Sequence, residues 1–328
     1  MYSVADLKEM KRQHEENIYY RQCGIPPEAG YIIGISISNY GPIKNTLNID
    51  LRKNNIIWGI NGIGKTLICE NLSSLIFKEK IMKRWVHSKR NFSSIFNITF
   101  LKERKHEIKI EITKSNDINY YYNDLIFPNI ISPYNVVYMA DALKIDEYKL
   151  NNLLKEVQDE QEYEIKYNKY YLDELLKHLN INIDVFITLI KYININDKNF
   201  IYGIEFENTV LKAQIKHDGY LLEFNLLSDS EKERVILELR FQLSKLYSEI
   251  SPTLFLIEHT AISIFDDELV VQLLKLIIEK KYNFQTIITF PDLFLLKKYP
   301  NAYDNYHLIH LVLENKNVKV DKNTIYND

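Results

Sequence analysis

Eight consecutive residues carry the clearest chemistry in this chain: Gly59-Ile60-Asn61-Gly62-Ile63-Gly64-Lys65-Thr66. They satisfy the spacing G-x-x-x-x-G-K-S/T, in which glycines let the backbone turn tightly and aim several N–H groups at phosphate oxygens. The helix that should follow offers the positive end of its dipole to the same anion. Lys65 then reaches the β- and γ-phosphates, and the Thr66 hydroxyl ligates Mg²⁺. The chain has only 9 glycines, and three of them sit in these eight residues. A chance glycine turn is the competing reading, and the surrounding pattern argues against it. Asn55–Gly59 reads as a short apolar strand, and Lys65–Phe77 has apolar residues at helical spacing.

Those elements belong to a longer alternation. Tyr31–Asn39 and Leu47–Leu51 read as strands, and Cys23–Gly30, with its Pro-Pro, reads as a linker after an amphipathic helix at residues 3–22. Strand-like runs follow at Ile108–Ile112, Asn119–Tyr122 and Val136–Met139, then a charged helical stretch at Asp146–Leu179 and three more strand-like runs across residues 200–225. The last third reads as a helix at Ser228–Tyr247, a strand at Thr253–Ile257, a helix at Asp266–Lys281, a strand at Thr286–Thr289 and a helix near Pro291–Lys298. Strands alternating with helices of this length predict an α/β fold with a mostly parallel sheet.

Several segments, taken in order, resemble the ABC-type P-loop ATPase heads of the SMC, RecF and OLD-like proteins. The form Gly59-Ile60-Asn61-Gly62-Ile63-Gly64-Lys65-Thr66 is one. Ile37-Ser38-Asn39-Tyr40 is similar to that family's opening I-x-N-F/Y hairpin, and Leu227-Ser228-Asp229-Ser230-Glu231-Lys232 to its LSxGE signature. Leu254-Phe255-Leu256-Ile257-Glu258-His259 resembles the Walker B strand, and Ile287-Ile288-Thr289-Phe290 the strand that normally ends in a switch histidine. The likeness spans roughly residues 31–300, dense at both ends and weak between 78 and 215.

The resemblance implies a division into an N-terminal helix and linker (1–30), an N-terminal ATPase lobe that is rich in β-structure (31–141), a small helical insertion (142–198) and a C-terminal lobe with signature and Walker B (199–328). It implies ATP and Mg²⁺ as cofactors, held by Gly59, Asn61, Gly62, Gly64, Lys65 and Thr66, with Glu258 as second metal ligand. It implies a head-to-tail homodimer in which Ser228 and Ser230 meet the nucleotide held by the partner. A plainer reading of Ser228 also stands: with Glu231 three residues on, it makes a capping box in any protein.

The departures bear on rate. Glu258 occupies the aspartate position, His259 the catalytic glutamate position, Ser230 the signature glycine and Phe290 the switch histidine. No glutamine follows Val136–Met139 at Q-loop spacing; Asp141 is close, while Gln158 and Gln161 lie too far along. Phosphoryl transfer depends on positioning and charge stabilisation, so binding is expected to persist with slow hydrolysis. Two alternatives stay open: His259 acts as the base itself, or a partner supplies the missing groups. By analogy the resemblance suggests a sensor or regulatory subunit of prokaryotic antiviral defence, working with a separate nuclease or toxin. A RecF-like ATPase on DNA and a non-enzymatic ATP-dependent scaffold are the rivals.

Composition excludes less. A net charge of −3 over 328 residues does not imply a broad basic face, although Lys80, Lys83, Arg84, Lys89 and Arg90 cluster after the loop helix. Two cysteines, Cys23 and Cys69, form no disulfide framework, which points to a reducing cytosol. No apolar run approaches the roughly 20 residues that span a bilayer, and Met1–Gln22 has no signal-peptide apolar core. His307 and His310 lie in a strand-like pattern that points them to opposite faces, so a metal site there is not expected. Tyr120-Tyr121-Tyr122 reads as a half-buried strand before it reads as a base-stacking platform.

Overall fold

The computed structural model describes residues 31–73, 94–102, 104–113, 118–126, 135–155, 157, 159–280, 282–292, 297–299, 301 and 305–321. The expected N-terminal helix and linker, the last turn of the loop helix, the basic cluster and Gln158 lie outside the described residues. The chain divides into two compact units. The first holds residues 1–140, 247–262 and 267–328, and the second holds 141–246 and 263–266.

Two sheets build the first unit. One is antiparallel: β1 (Tyr31–Ser38), β2 (Leu47–Asp50), β4 (Ser94–Lys102), β5 (Arg104–Ile112), β6 (Ile118–Tyr122) and β7 (Leu125–Ile126), in the order β2-β1-β4-β5-β6-β7. Its inward residues alternate along β1 and β2, as a one-face-buried sheet requires. The tyrosine run falls in β6, where Tyr120 and Tyr122 pack on the core and Tyr121 donates to Glu111.

The other sheet runs β15-β14-β3-β13-β12-β8, with β3 (Asn54–Trp58), β8 (Asn135–Met139), β12 (Thr253–Ile257), β13 (Gln285–Phe290) and β14 (His307–Glu314) all parallel. Only β15 (Asn317–Val320) is antiparallel to its neighbour. Every residue of β12 and β13 is buried, the mark of a sheet covered on two faces, although β13 includes the polar Gln285, Thr286 and Thr289. Helix α1 (Lys65–Ser73) packs on β8, β12 and β13 through Leu67, Ile68, Cys69 and Leu72. A single apolar cluster, from Ile35 and Ile98 through Leu67 to Leu256 and Ile287, joins α1 to both sheets. His307 and His310 do sit on a strand, and His310 stacks on Trp58 with ring centroids 3.5 Å apart while pairing with Asp321.

The second unit carries α2 (Glu147–Leu154), α3 (Glu160–Leu179), α4 (Ile183–Ile195), a three-stranded antiparallel sheet of β9 (Gly203–Glu207), β10 (Val210–Gln214) and β11 (Leu222–Glu223), and most of α5 (Asp229–Ser248). The expected helical stretch is thus two helices with a break, each opened by an aspartate cap, Asp146 and Asp159. Helix α4 falls within the expected helical insertion, although the periodicity reading assigns no helix to these residues. Its β-branched residues have modest helix propensity, and it is held by a buried stripe of Phe186, Leu189, Ile190 and Ile193 and by the Asn182 cap. Most of α5 belongs to this unit, while β12, which follows it in the chain, belongs to the first. The first unit also holds α6 (His259–Ile262) and α7 (Asp267–Glu279). The expected helix near Pro291–Lys298 is not seen at its start, since Pro291 and Asp292 form a bend.

Candidate functional site

In a parallel sheet, ligand-binding loops gather at the carboxyl ends of the strands. Here β3 ends in the glycine loop, β12 in Glu258 and His259, and β13 in Thr289–Pro291. Together they enclose a cavity of about 300 Å³ lined by residues that include Asn61, Gly64, Lys65, Thr66, Glu258 and His259.

The loop needs its glycines for different reasons. Gly59 has φ of 154°, and a Cβ there would stand 2.5 Å from the Leu311 carbonyl oxygen. Gly62 has φ of 80° with open space around it, and Gly64 has φ of 111° with Pro42 closest at 3.3 Å. Gly59→Ala is therefore expected to destabilise by about 2–4 kcal/mol, because strand β14 must move as well as the backbone. Gly62→Ala should cost only about 1 kcal/mol, the left-handed penalty alone. Urea unfolding midpoints of the two variants measure the difference.

Lys65 folds back over the loop it ends, donating from Nζ to the carbonyls of Gly59 at 2.5 Å and Ile60 at 3.0 Å. Burial lowers its pKa, and the Glu258 carboxylate opposes that shift. The first amides of α1 have no partner within the helix, so the loop, the ammonium and the helix start present positive character to one cavity.

Glu258 faces them. Its side chain is 3% exposed, and Oε2 accepts from the Thr66 hydroxyl at 2.7 Å, across 192 positions of sequence. Oε1 accepts from the phenol of Tyr138, a residue that the sequence reading passed over. The Glu258 amide donates to Met139 O at 2.8 Å. Two hard oxygen donors converging at one point, one of them anionic, are the donor set that Mg²⁺ favours. Thr66 and Glu258 therefore fit the cation.

The His259 amide donates to Thr289 Oγ1 at 3.3 Å, and its ring lies 6.4 Å from that of Phe290, edge to face. Burial lowers the imidazole pKa, with Asp292 opposing and Lys65 adding to the shift. The ring is neutral at pH 7 and able to accept a proton. Phe290, at the switch position, is buried and takes no part in the cavity's polar lining.

In the second unit, Ser228 and Ser230 are exposed at the start of α5. The Ser228 amide donates to Glu231 Oε2 at 3.0 Å and the Glu231 amide to Ser228 Oγ at 3.4 Å, a complete capping box. The Ser228 hydroxyl also meets Glu231 Oε2 at 2.8 Å. Among the described residues there is no group of three or more metal-binding side chains, and no helix is long and apolar enough to cross a membrane.

Neither a protein-family model nor a curated protein sequence matches the chain. Solved structures do. An Smc head bound to the C-winged helix domain of ScpA aligns with a TM-score of 0.60 at 17% identity, covering 89% of this chain and 97% of that one. The Smc head domain with an extended coiled coil from Pyrococcus furiosus, bound to the C-terminal domain of ScpA, aligns at 0.58 with 16% identity, over 89% and 96%. RecF with ATP, a recombination mediator protein, aligns at 0.53 with 14% identity, over 89% and 98%. The chain has the fold of an SMC/RecF-type ABC ATPase head. The mixed α/β architecture expected from the sequence is this head fold, with its antiparallel lobe and its parallel sheet in one unit. Within the head fold, Lys65, Thr66, Glu258 and His259 share one cavity, whereas Ser228 and Ser230 belong to the other unit.

Proposed function

We propose that this chain binds ATP with Mg²⁺ as an ABC-type head and hydrolyses it slowly. One observation carries the reading. The Thr66 hydroxyl and the Glu258 carboxylate, distant in sequence, meet at 2.7 Å beside Lys65 in a cavity that a glycine loop closes. A structural hydrogen bond needs no such loop; a triphosphate does.

On this reading the backbone amides of Gly62–Thr66 and the Lys65 ammonium hold the β- and γ-phosphates. Lys65 leaves the carbonyls of Gly59 and Ile60 for the incoming phosphate oxygens, exchanging neutral acceptors for charged ones. Thr66 and Glu258 would hold Mg²⁺, which would supply neutralisation of the phosphate charge. His259 stands at the edge of the cavity in place of a glutamate, and no imidazole or carboxamide replaces the switch residue at Phe290. Binding is therefore intact and water activation is weak.

ATP brings two heads together head-to-tail, with Ser228, Ser230 and the N-terminus of α5 facing the partner's nucleotide. Support for this comes from the exposure of Ser228 and Ser230 at the start of α5 and from the sequence resemblance at Leu227–Lys232; the capping box itself would suit any helix start. A sensor or regulatory role beside a separate nuclease or toxin in antiviral defence follows by analogy with OLD-like heads. Sedimentation tests the assembly. Wild type should pass from monomer to dimer when ATP and Mg²⁺ are added, and Ser230→Arg should block that step while ATP affinity is kept. Dimers that form equally without nucleotide, or that survive Ser230→Arg, contradict it.

A further inference from the structure

A glutamate at the end of β12 carries its carboxylate one methylene farther than an aspartate, with one more rotatable bond to fix. Something must hold it if it is to serve a cation with defined geometry. The parallel register pairs Tyr138 with Leu256 and Met139 with Ile257. Side chains alternate along a strand, so Tyr138, Leu256 and Glu258 share one face of the sheet. That face is where α1 packs, and the Tyr138 phenol donates there to Glu258 Oε1 while Thr66 donates to Oε2.

We propose that Tyr138 is a positioning residue for Glu258, tying down one carboxylate oxygen so that the other stays beside Thr66 for the cation. This rests on the Mg²⁺–ATP reading above. Tyr138 and Glu258 thus act as a pair, with one carboxylate oxygen held by the phenol and the other by Thr66. Partners that orient a metal-ligating carboxylate are worth about 10–100-fold in cation affinity.

ATP titrations in Mg²⁺ and in EDTA test this on wild type, Tyr138→Phe, Glu258→Asp and the double variant. In wild type, Mg²⁺ should tighten ATP binding. Tyr138→Phe, which keeps the ring and its packing, should reduce that Mg²⁺ enhancement by about tenfold and leave affinity in EDTA unchanged. A role in packing alone would move both conditions together. Glu258→Asp, which draws the carboxylate back from both the phenol and Thr66, should also reduce the enhancement, and adding Tyr138→Phe to it should cost less than Tyr138→Phe does in wild type. If Tyr138→Phe fails to fold, Glu258→Asp still decides. A Mg²⁺ enhancement in Glu258→Asp equal to or above wild type overturns the pairing, as does an undiminished enhancement in Tyr138→Phe. Should wild type itself bind no ATP, the nucleotide reading falls and this proposal with it. Normal binding by wild type with an indifferent Tyr138→Phe removes the proposal alone.

Discussion

Replacing His259 with glutamate should raise steady-state ATP turnover by about 10²-fold or more, the span that general-base help contributes. The position supports this. His259 follows Glu258 at the end of a wholly buried strand, its amide is fixed to Thr289, and its side chain lines the cavity. A glutamate there would present a carboxylate to a water at the cavity edge with the backbone unchanged. Neutral imidazole is a competent base in principle, and burial keeps this one neutral by lowering its pKa. If His259 is itself the base, His259→Glu loses activity instead. Wild-type turnover would then fall as pH drops through the lowered imidazole pKa, because the protonated ring cannot accept a proton. Phosphate release measured across pH for both proteins separates the outcomes.

The second large effect belongs to Lys65. Lys65→Ala is expected to weaken ATP binding by about 10²-fold, the loss of hydrogen bonds from one ammonium to a charged acceptor. Lys65→Met should lose as much, since it keeps most of the apolar stem and removes only the charge. Lys65 is 9% exposed, and its Nζ also braces the loop through the Gly59 and Ile60 carbonyls, a contact that both variants lose. Fluorescent-nucleotide titration of both variants measures the loss. Equal affinity in wild type and Lys65→Met would remove the lysine from the site.

Much of this was legible in the sequence because local pattern and tertiary role coincide. The strand Asn54–Trp58, the glycine loop and the helix from Lys65 follow one another in the chain, and each carries its own periodicity or turn chemistry. The β12 strand announces itself as an apolar run, Leu254–Ile257, and β13 by its β-branched residues from Thr286 to Thr289. Tyr138 was not legible. Its value depends on the pairing of β8 with β12 across 120 positions, and no local signal separates it from any half-buried strand tyrosine. The strand-end resemblance at Glu258 did hold the clue that a longer acid needs a partner. Helix α4 was missed because its isoleucines suit strand as well as helix, and its burial against β9 decides between them.

The central claim is that the loop ending in Lys65 and Thr66 holds a triphosphate together with a divalent cation. Isothermal titration of the purified chain with ATP, in Mg²⁺ and again in EDTA, addresses it without reference to turnover or partners. Saturable binding at one ATP per chain, tighter in Mg²⁺ and lost in Lys65→Met, is the predicted result. An absence of saturable heat in Mg²⁺ at millimolar ATP, or binding that Lys65→Met leaves intact, would contradict it.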